Sequence, residues 1–194
     1  LPPVEDPSQL VMAFSVYSTN DEPMNRNYGV FTVGVMTDPD KGSTFVPIDT
    51  VNLNASNRWE QHFVDLSTYS GSGQYIAFRF TPRYSSYHLY LEDVYLGSCA
   101  VTSATAAVTP NGTTLAFTTI GAASGVLVDD TAGYHAALTA TGQVLPELDA
   151  AGHYTFTVRA YSDSDTQAVC HLAPVVVNPV MQLPYCENFD AVSG

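Results

Sequence analysis

YGVFTVGVMT (28–37) sets Val30, Thr32, Gly34 and Met36 on one side of an extended chain and Phe31, Val33 and Val35 on the other. Alternation with period two, carried by β-branched and aromatic residues, is the pattern of a strand. It recurs in WEQHFVDLS (59–67) and GQYIAFRFTP (73–82), while LVMAFSVYS (10–18) is apolar throughout and rich in β-formers, and YHLYLEDVYLG (87–97) closes the group. Between these runs lie STNDEPMNRN, TDPDKGSTF, NLNASNR and STYSGSG. Their Asn, Asp, Gly, Pro and Ser residues supply turns. Helical periodicity is nearly absent. Strands joined by polar turns, with no crossover helix, predict an all-β antiparallel sandwich.

The composition narrows what such a chain does. Hydrophobic residues make up 45% of the 194, enough to fill a core, while charged residues are only 13%, about half the usual share. Six basic residues against 19 acidic ones leave a net charge of −13. That balance disfavours nucleic acid, whose phosphates need Lys and Arg to displace counterions. It equally disfavours an anionic membrane surface. No apolar run is long enough for a membrane helix. The opening LPPVEDPSQL has no signal-peptide pattern, so if the protein is exported its signal is expected upstream. An acidic, Lys-poor chain rich in Ser, Thr and Tyr suits a secreted or surface protein.

After Cys99 the chain becomes rich in Ala, Thr and Val. Strands are expected in AVTSATAAVTP, TTLAFTTI, SGVLVDD, YHAALTA, GHYTFTVRAYS and QAVCHLAPVVV. In LDAAGHYTFTVRA (148–160), Leu148 and Tyr154 flank a Gly-containing corner, and Tyr154, Phe156 and Val158 alternate after it. That is the spacing of a tyrosine corner, in which a Tyr hydroxyl bonds back to upstream backbone. Residues 99–178 are therefore expected to form an immunoglobulin or fibronectin type III-like sandwich, with Phe117 in place of the usual core Trp. The prolines at 179 and 184 end its last edge strand. Residues 179–194 then read as a linker and a new strand.

The pieces VGVMTDPDKGSTFVPIDTV (33–51), RWEQHFVDLSTYSGSGQYIAFRF (58–80) and YHLYLEDVYLGSC (87–99) give residues 1–98 a resemblance to the cleaved-adhesin family. These are jelly-roll domains akin to MAM-type and lectin-like sandwiches, found in large bacterial cell-surface proteins. The resemblance implies that 1–98 is the C-terminal part of such a domain. A full domain of the family opens with a segment like LPYCENFD, which stands here at 183–190. It thus implies an array of repeats, with 183–194 beginning the next one. A jelly roll without its opening strands exposes sheet edges. Donation of strand 183–194 to a neighbouring copy, or to the chain's own first domain, is one way to cover them.

Candidate chemistry is sparse. The five histidines (62, 88, 135, 153 and 171) fall on separate expected strands, although His62 and His88 are a conceivable pair. No nucleophile elbow is present, and SGSG (70–73) reads as a tight turn. The resemblance implies a structural calcium at Glu92 and Asp93 in YLEDVYL, completed by acids of an opening segment such as Glu187 and Asp190; two solvent-facing carboxylates is the alternative. TDPDKGST (37–44) lacks the ligand spacing of a calcium loop. Tyr84, Tyr87 and His88, beside Arg83 and Tyr90, are candidates for stacking on sugars or anchoring a protein, against ordinary cross-strand pairing. Of three cysteines, Cys99 and Cys170 either bridge, leaving Cys186 over, or all remain thiols. NAS (54–56) and NGT (111–113) match the glycosylation acceptor, but read as turns in a bacterial host.

The expectation is a non-enzymatic piece of a multidomain protein of the extracellular bacterial cell surface, adhesive or scaffolding in role. Its partners would be a host or neighbouring-cell protein or glycan, or further copies of itself. Two alternatives stand beside it: a carbohydrate-binding accessory module of a secreted hydrolase or protease, and a self-associating structural subunit that uses strand donation.

Overall fold

A computed structural model describes residues 1–19, 29–53, 58–82, 88–109, 111–146, 148, 155–162, 165–169, 175–177 and 180–181. Of the side chains of Thr19, Asn52 and His88, and of those beyond residue 162, nothing is said. The chain is an all-β sandwich protein whose helical content among the described residues is confined to two short 3₁₀ turns, Pro7–Gln9 and Gly42–Thr44.

Residues 1–97 contribute β1 (Val11–Thr19), β2 (Gly29–Met36), β3 (Val46–Asn52), β4 (Trp59–Asp65), β5 (Tyr75–Pro82) and β6 (His88–Gly97). They form two three-stranded antiparallel sheets, ordered β4-β1-β6 and β3-β2-β5. The alternation of the sequence fixes which faces meet. Met12, Phe14 and Val16 of β1 point at Phe31, Val33 and Val35 of β2, and all six are buried. Phe14 is the centre of this contact: it meets the edge of Phe31 at 5.6 Å and of Phe78 at 5.4 Å, spanning the gap between the sheets. Edge-to-face contacts of this kind add to simple burial because ring edges are positive and faces negative.

β3 was not among the expected strands. Its run VPIDTVN follows a turn-rich segment and carries a proline, which an edge strand tolerates. The turn before it is closed by Lys41–Asp38 at 2.7 Å and by Thr44 Oγ1 donating to the Asp38 carbonyl at 2.9 Å. That turn returns Phe45 over Gly34, where a Cβ would lie only 2.5 Å from the ring. Glycine at 34 is therefore required by close approach, and β2 is buried on both faces apart from Val30. STYSGSG is also a built turn: Gly73 donates its N–H to the Tyr69 hydroxyl at 2.6 Å.

The expectation of bare edges needs qualification. Residues 1–4 lie along the free edge of β5, with the Leu1 amino group donating to the Ile76 carbonyl at 3.1 Å and the Val4 N–H to Gln74 at 2.8 Å.

The remaining strands are β7 (Cys99–Thr109), β8 (Gly112–Gly121), β9 (Gly125–Asp130), β10 (His135–Leu138), β11 (Gln143–Val144), β12 (Phe156–Ser162), β13 (Asp165–Val169), β14 (Val175–Val177) and β15 (Val180–Met181). One sheet runs β11-β8-β7-β15. The other runs β10-β9-β12-β13, with β14 also on β12. Where one strand was expected over 167–177, β13 and β14 pair with opposite ends of β12. Met181 and Val180, expected in a linker, add a short parallel ladder to β7.

Val126, Val128, Phe156, Val158 and Ala160 from one sheet face Cys99, Val101, Ala106 and Leu115 from the other. The fully buried aromatic of this core is Phe156. Phe117, expected in that role, only packs against it from a half-buried position. The expected corner tyrosine, Tyr154, lies outside the described residues. A different tyrosine makes a similar bond: Tyr134 packs on Phe156 at 5.9 Å, and its hydroxyl donates to the Pro146 carbonyl at 3.0 Å.

The two cores meet at a third, small cluster. Val11 and Ala13 on the outer face of β1 bury against Ala100 of β7, with Phe63, Tyr95 and Ile120 around them. Only Ser98 separates β6 from β7. Its carbonyl accepts the N–H of Ala122 at 2.9 Å. Gly121 is held at φ +73°, and a Cβ there would sit 2.3 Å from that carbonyl and 2.8 Å from Val11. Only glycine fits the corner on both counts.

Candidate functional site

The outer face of β4-β1-β6 carries the most distinctive set of exposed side chains. Cross-strand register sorts it into rows. Phe63, Ala13 and Tyr95 form the row that the second sandwich covers. Next come Gln61, Ser15 and Glu92, then Trp59, Tyr17 and Tyr90. Residues directly opposite share a face of the sheet, so each row is a line of neighbours. In the last row Tyr17 lies 5.5 Å from Trp59 and 6.2 Å from Tyr90, with ring tilts of 47° and 60°. Trp59 is 45% and Tyr90 52% exposed. Gln61 and Glu92 are exposed beside them and Ser15 is half-buried.

Of the residues expected to bind a ligand, Tyr84 and Tyr87 lie outside the described residues. His88 begins β6, opposite Thr19, and its side chain is not described. His62 and His88 do not face one another in the ladder. β1 runs between their strands, and they pair with Phe14 and Thr19 respectively. Reading the faces of WEQ, VYS and YLE separately gives Trp59, Tyr17 and Tyr90. Knowing that β1 lies between β4 and β6 is what aligns them, and alternation carries no such information.

Glu92 and Asp93 are both exposed on β6, and Asp93 stands at a bulge with φ +50°. Calcium takes six to eight oxygens. Among the described residues no group of three His, Cys, Asp or Glu comes together to hold a metal. Glu187 and Asp190, the further ligands expected, lie outside them. Cys99 is buried and disulfide-bonded. The other two cysteines of the chain, Cys170 and Cys186, lie outside the described residues.

Two polar arrangements were not expected. His62 stacks on Phe14 at 5.7 Å, and its Nε2 is buried with no hydrogen-bond partner. Burial lowers its pKa from the ordinary value, against the opposing pull of the Glu60 and Asp49 charges. On the second sandwich, Asp129 of β9 bridges two strands. Its Oδ1 meets His135 Nδ1 of β10 at 2.6 Å, and its Oδ2 pairs with the guanidinium of Arg159 on β12. Burial pushes the Asp129 carboxyl up, but the hydrogen bonds and charges of His135 and Arg159 outweigh it and hold the group below its ordinary value. With both carboxylate oxygens engaged and His135 62% exposed on the sheet surface, the geometry is that of a cross-strand ion pair. A shallow cleft of about 390 Å³ lies beside the junction, lined by Leu10, Asp65, Ser67 and Gly121 among others.

No family model and no curated protein matches the chain. Among solved structures it is similar to the glycoside hydrolase domain of Endo-D from Streptococcus pneumoniae R6, with a TM-score of 0.31 and 11% identity. That similarity covers 91% of this chain but only 30% of the other. Likeness at this level defines neither fold nor activity. The class of protein is set by the strands themselves: all-β, built of sandwiched antiparallel sheets. Among the described residues no helix is long and apolar enough to cross a membrane.

Proposed function

We propose that this chain is a non-enzymatic segment of a multidomain extracellular surface protein, acting as a stiff scaffold that carries an adhesive face. In this reading residues 1–98 are a jelly-roll-like module, 99–178 a fibronectin type III-like module, and 179–194 lead toward a further repeat. The observation that carries it is the junction. The strands β6 and β7 are separated by one residue, Ser98, which is bonded to Ala122. Val11, Ala13 and Ala100 are buried across the seam. Modules joined by a flexible linker wander, whereas an apolar seam with no spare chain fixes one orientation. A surface protein needs that property to hold a binding face away from the cell.

Two further observations support it. The order β11-β8-β7 against β10-β9-β12-β13 follows the sheet partition of immunoglobulin-like sandwiches. The disulfide at Cys99 suits an oxidising, extracellular setting.

Calorimetry tests the coupling. The intact chain is expected to unfold in one transition. Ala100→Asp, which places a charge in the seam, is expected to split it into two. Two independent transitions already in the unmodified chain would contradict the proposal.

A further inference from the structure

We propose that the row Trp59–Tyr17–Tyr90, with the adjoining row Gln61–Ser15–Glu92, is a binding face for an uncharged oligosaccharide. The inference rests on the adhesive reading above and names its ligand. Aromatic rings that only pair across strands spend their surface on one another. Here the two outer rings remain about half in water, Trp59 at 45% and Tyr90 at 52%. A line of exposed aromatics next to a line of polar groups is an unusual surface for a soluble sheet.

The chemistry of the two rows selects the occupant. A pyranose ring has an apolar face of C–H groups and an equatorial rim of hydroxyls. The aromatic row offers flat apolar surface for the first. Gln61 offers both a donor and acceptors for the second, Ser15 a hydroxyl, and Glu92 acceptors. Charge complementarity excludes the main competitors. The chain carries −13, and Glu92 stands inside the face, so uronic, sialic or phosphorylated ligands are repelled. Arg58, next to Trp59 in the chain, is paired with Glu60 at 3.4 Å.

Geometry narrows it further. Neighbouring strands lie about 4.8 Å apart, so a sugar chain crossing the sheet passes Trp59, Tyr17 and Tyr90 in turn. Tilts of 47° and 60° between the rings make a turning surface rather than a flat platform. A single soluble chain, whose sugars rotate relative to one another, suits that surface. The flat face of a crystalline polysaccharide does not.

Trp59 is the chain's single tryptophan, so its emission reports on this face alone. The experiment titrates the full chain with neutral hexasaccharides of β-1,4-glucan, β-1,4-xylan, β-1,3-glucan and α-mannan. At least one is expected to give a saturable emission change. Tyr90→Ala is expected to weaken it about tenfold, and Tyr90→Phe, which keeps the ring, to stay within about threefold. Tyr90 is exposed, so both variants are expected to melt near the unmodified chain, which separates lost binding from lost fold. No saturable change with any of the four sugars to millimolar concentration overturns the proposal. So does binding that Tyr90→Ala leaves intact, or an emission change that follows protein dilution instead of sugar, which would assign the face to a second copy. Failure here with a single calorimetric transition retained would remove the ligand and leave the scaffold standing.

Discussion

His62 stacks against Phe14 at a centroid distance of 5.7 Å, with its Nε2 buried and unpartnered. The core of the first sandwich thus has a titratable group on its flank. Burial lowers the pKa of His62 below its ordinary 6.5, so the folded state favours the neutral ring. Above 6.5 the group costs nothing extra. As pH falls below 6.5, the unfolded chain takes up its proton first and stability declines, until the folded pKa is passed. The melting temperature is expected to drop on going from about pH 7 to pH 5. In His62→Leu that part of the slope disappears, as thermal melts across this range will show. An unchanged slope in the variant would remove His62 as its cause.

Phe14 itself holds the sheets together through Phe31 and Phe78. Phe14→Ala is expected to cost about 3–5 kcal/mol, as large core truncations do. Denaturant melts followed by tyrosine and tryptophan emission will measure it.

Asp129 ties β9 to β10 and β12 through His135 and Arg159. Its lowered pKa contributes stability above 3.8 that is lost as pH falls through the folded value. Asp129→Asn is expected to destabilise by about 1–2 kcal/mol near neutrality, because the groups are only partly buried. The loss is expected to shrink in acid, where the wild-type carboxyl is also protonated.

The disulfide at Cys99 has two possible partners, and we expect Cys170. Non-reducing mass analysis would then show two hydrogens fewer than the reduced chain, with the free thiol mapping to Cys186. A free thiol at Cys170 would give the bridge to Cys186 instead.

The sequence made much of this structure legible. Alternation in YGVFTVGVMT separated Phe31, Val33 and Val35, which pack in the first core, from the other face of that strand, and the apolar run LVMAFSVYS marked the strand that packs against it. β3 and β11 were missed for opposite reasons. The first carries Pro47 after a long turn, and the second, at Gln143–Val144, is too short to show a period. Phe117 was expected in place of the usual core Trp, but the fully buried ring of that core is Phe156, and local pattern does not say which aromatic lies deepest. The aromatic row, the Asp129 bridge and the His62 contact were invisible for a shared reason. Each needs the order of strands in a sheet, which is set by long-range pairing and not by local pattern.

Gly121 bears directly on the junction. Gly121→Ala combines a positive φ with a Cβ 2.3 Å from the Ser98 carbonyl, whereas Gly133, at φ +96°, has open space around it. Gly121→Ala is expected to cost about 2 kcal/mol or more and Gly133→Ala about 1 kcal/mol. Equal losses in denaturant melts would mean that the corner yields without strain.

Small-angle X-ray scattering of the full chain tests the stiff junction most directly. The account predicts a profile that one fixed arrangement of the two sandwiches reproduces, and that changes when Ala100→Asp opens the seam. A profile from the unmodified chain that only a broad range of angles between the sandwiches can reproduce would contradict it.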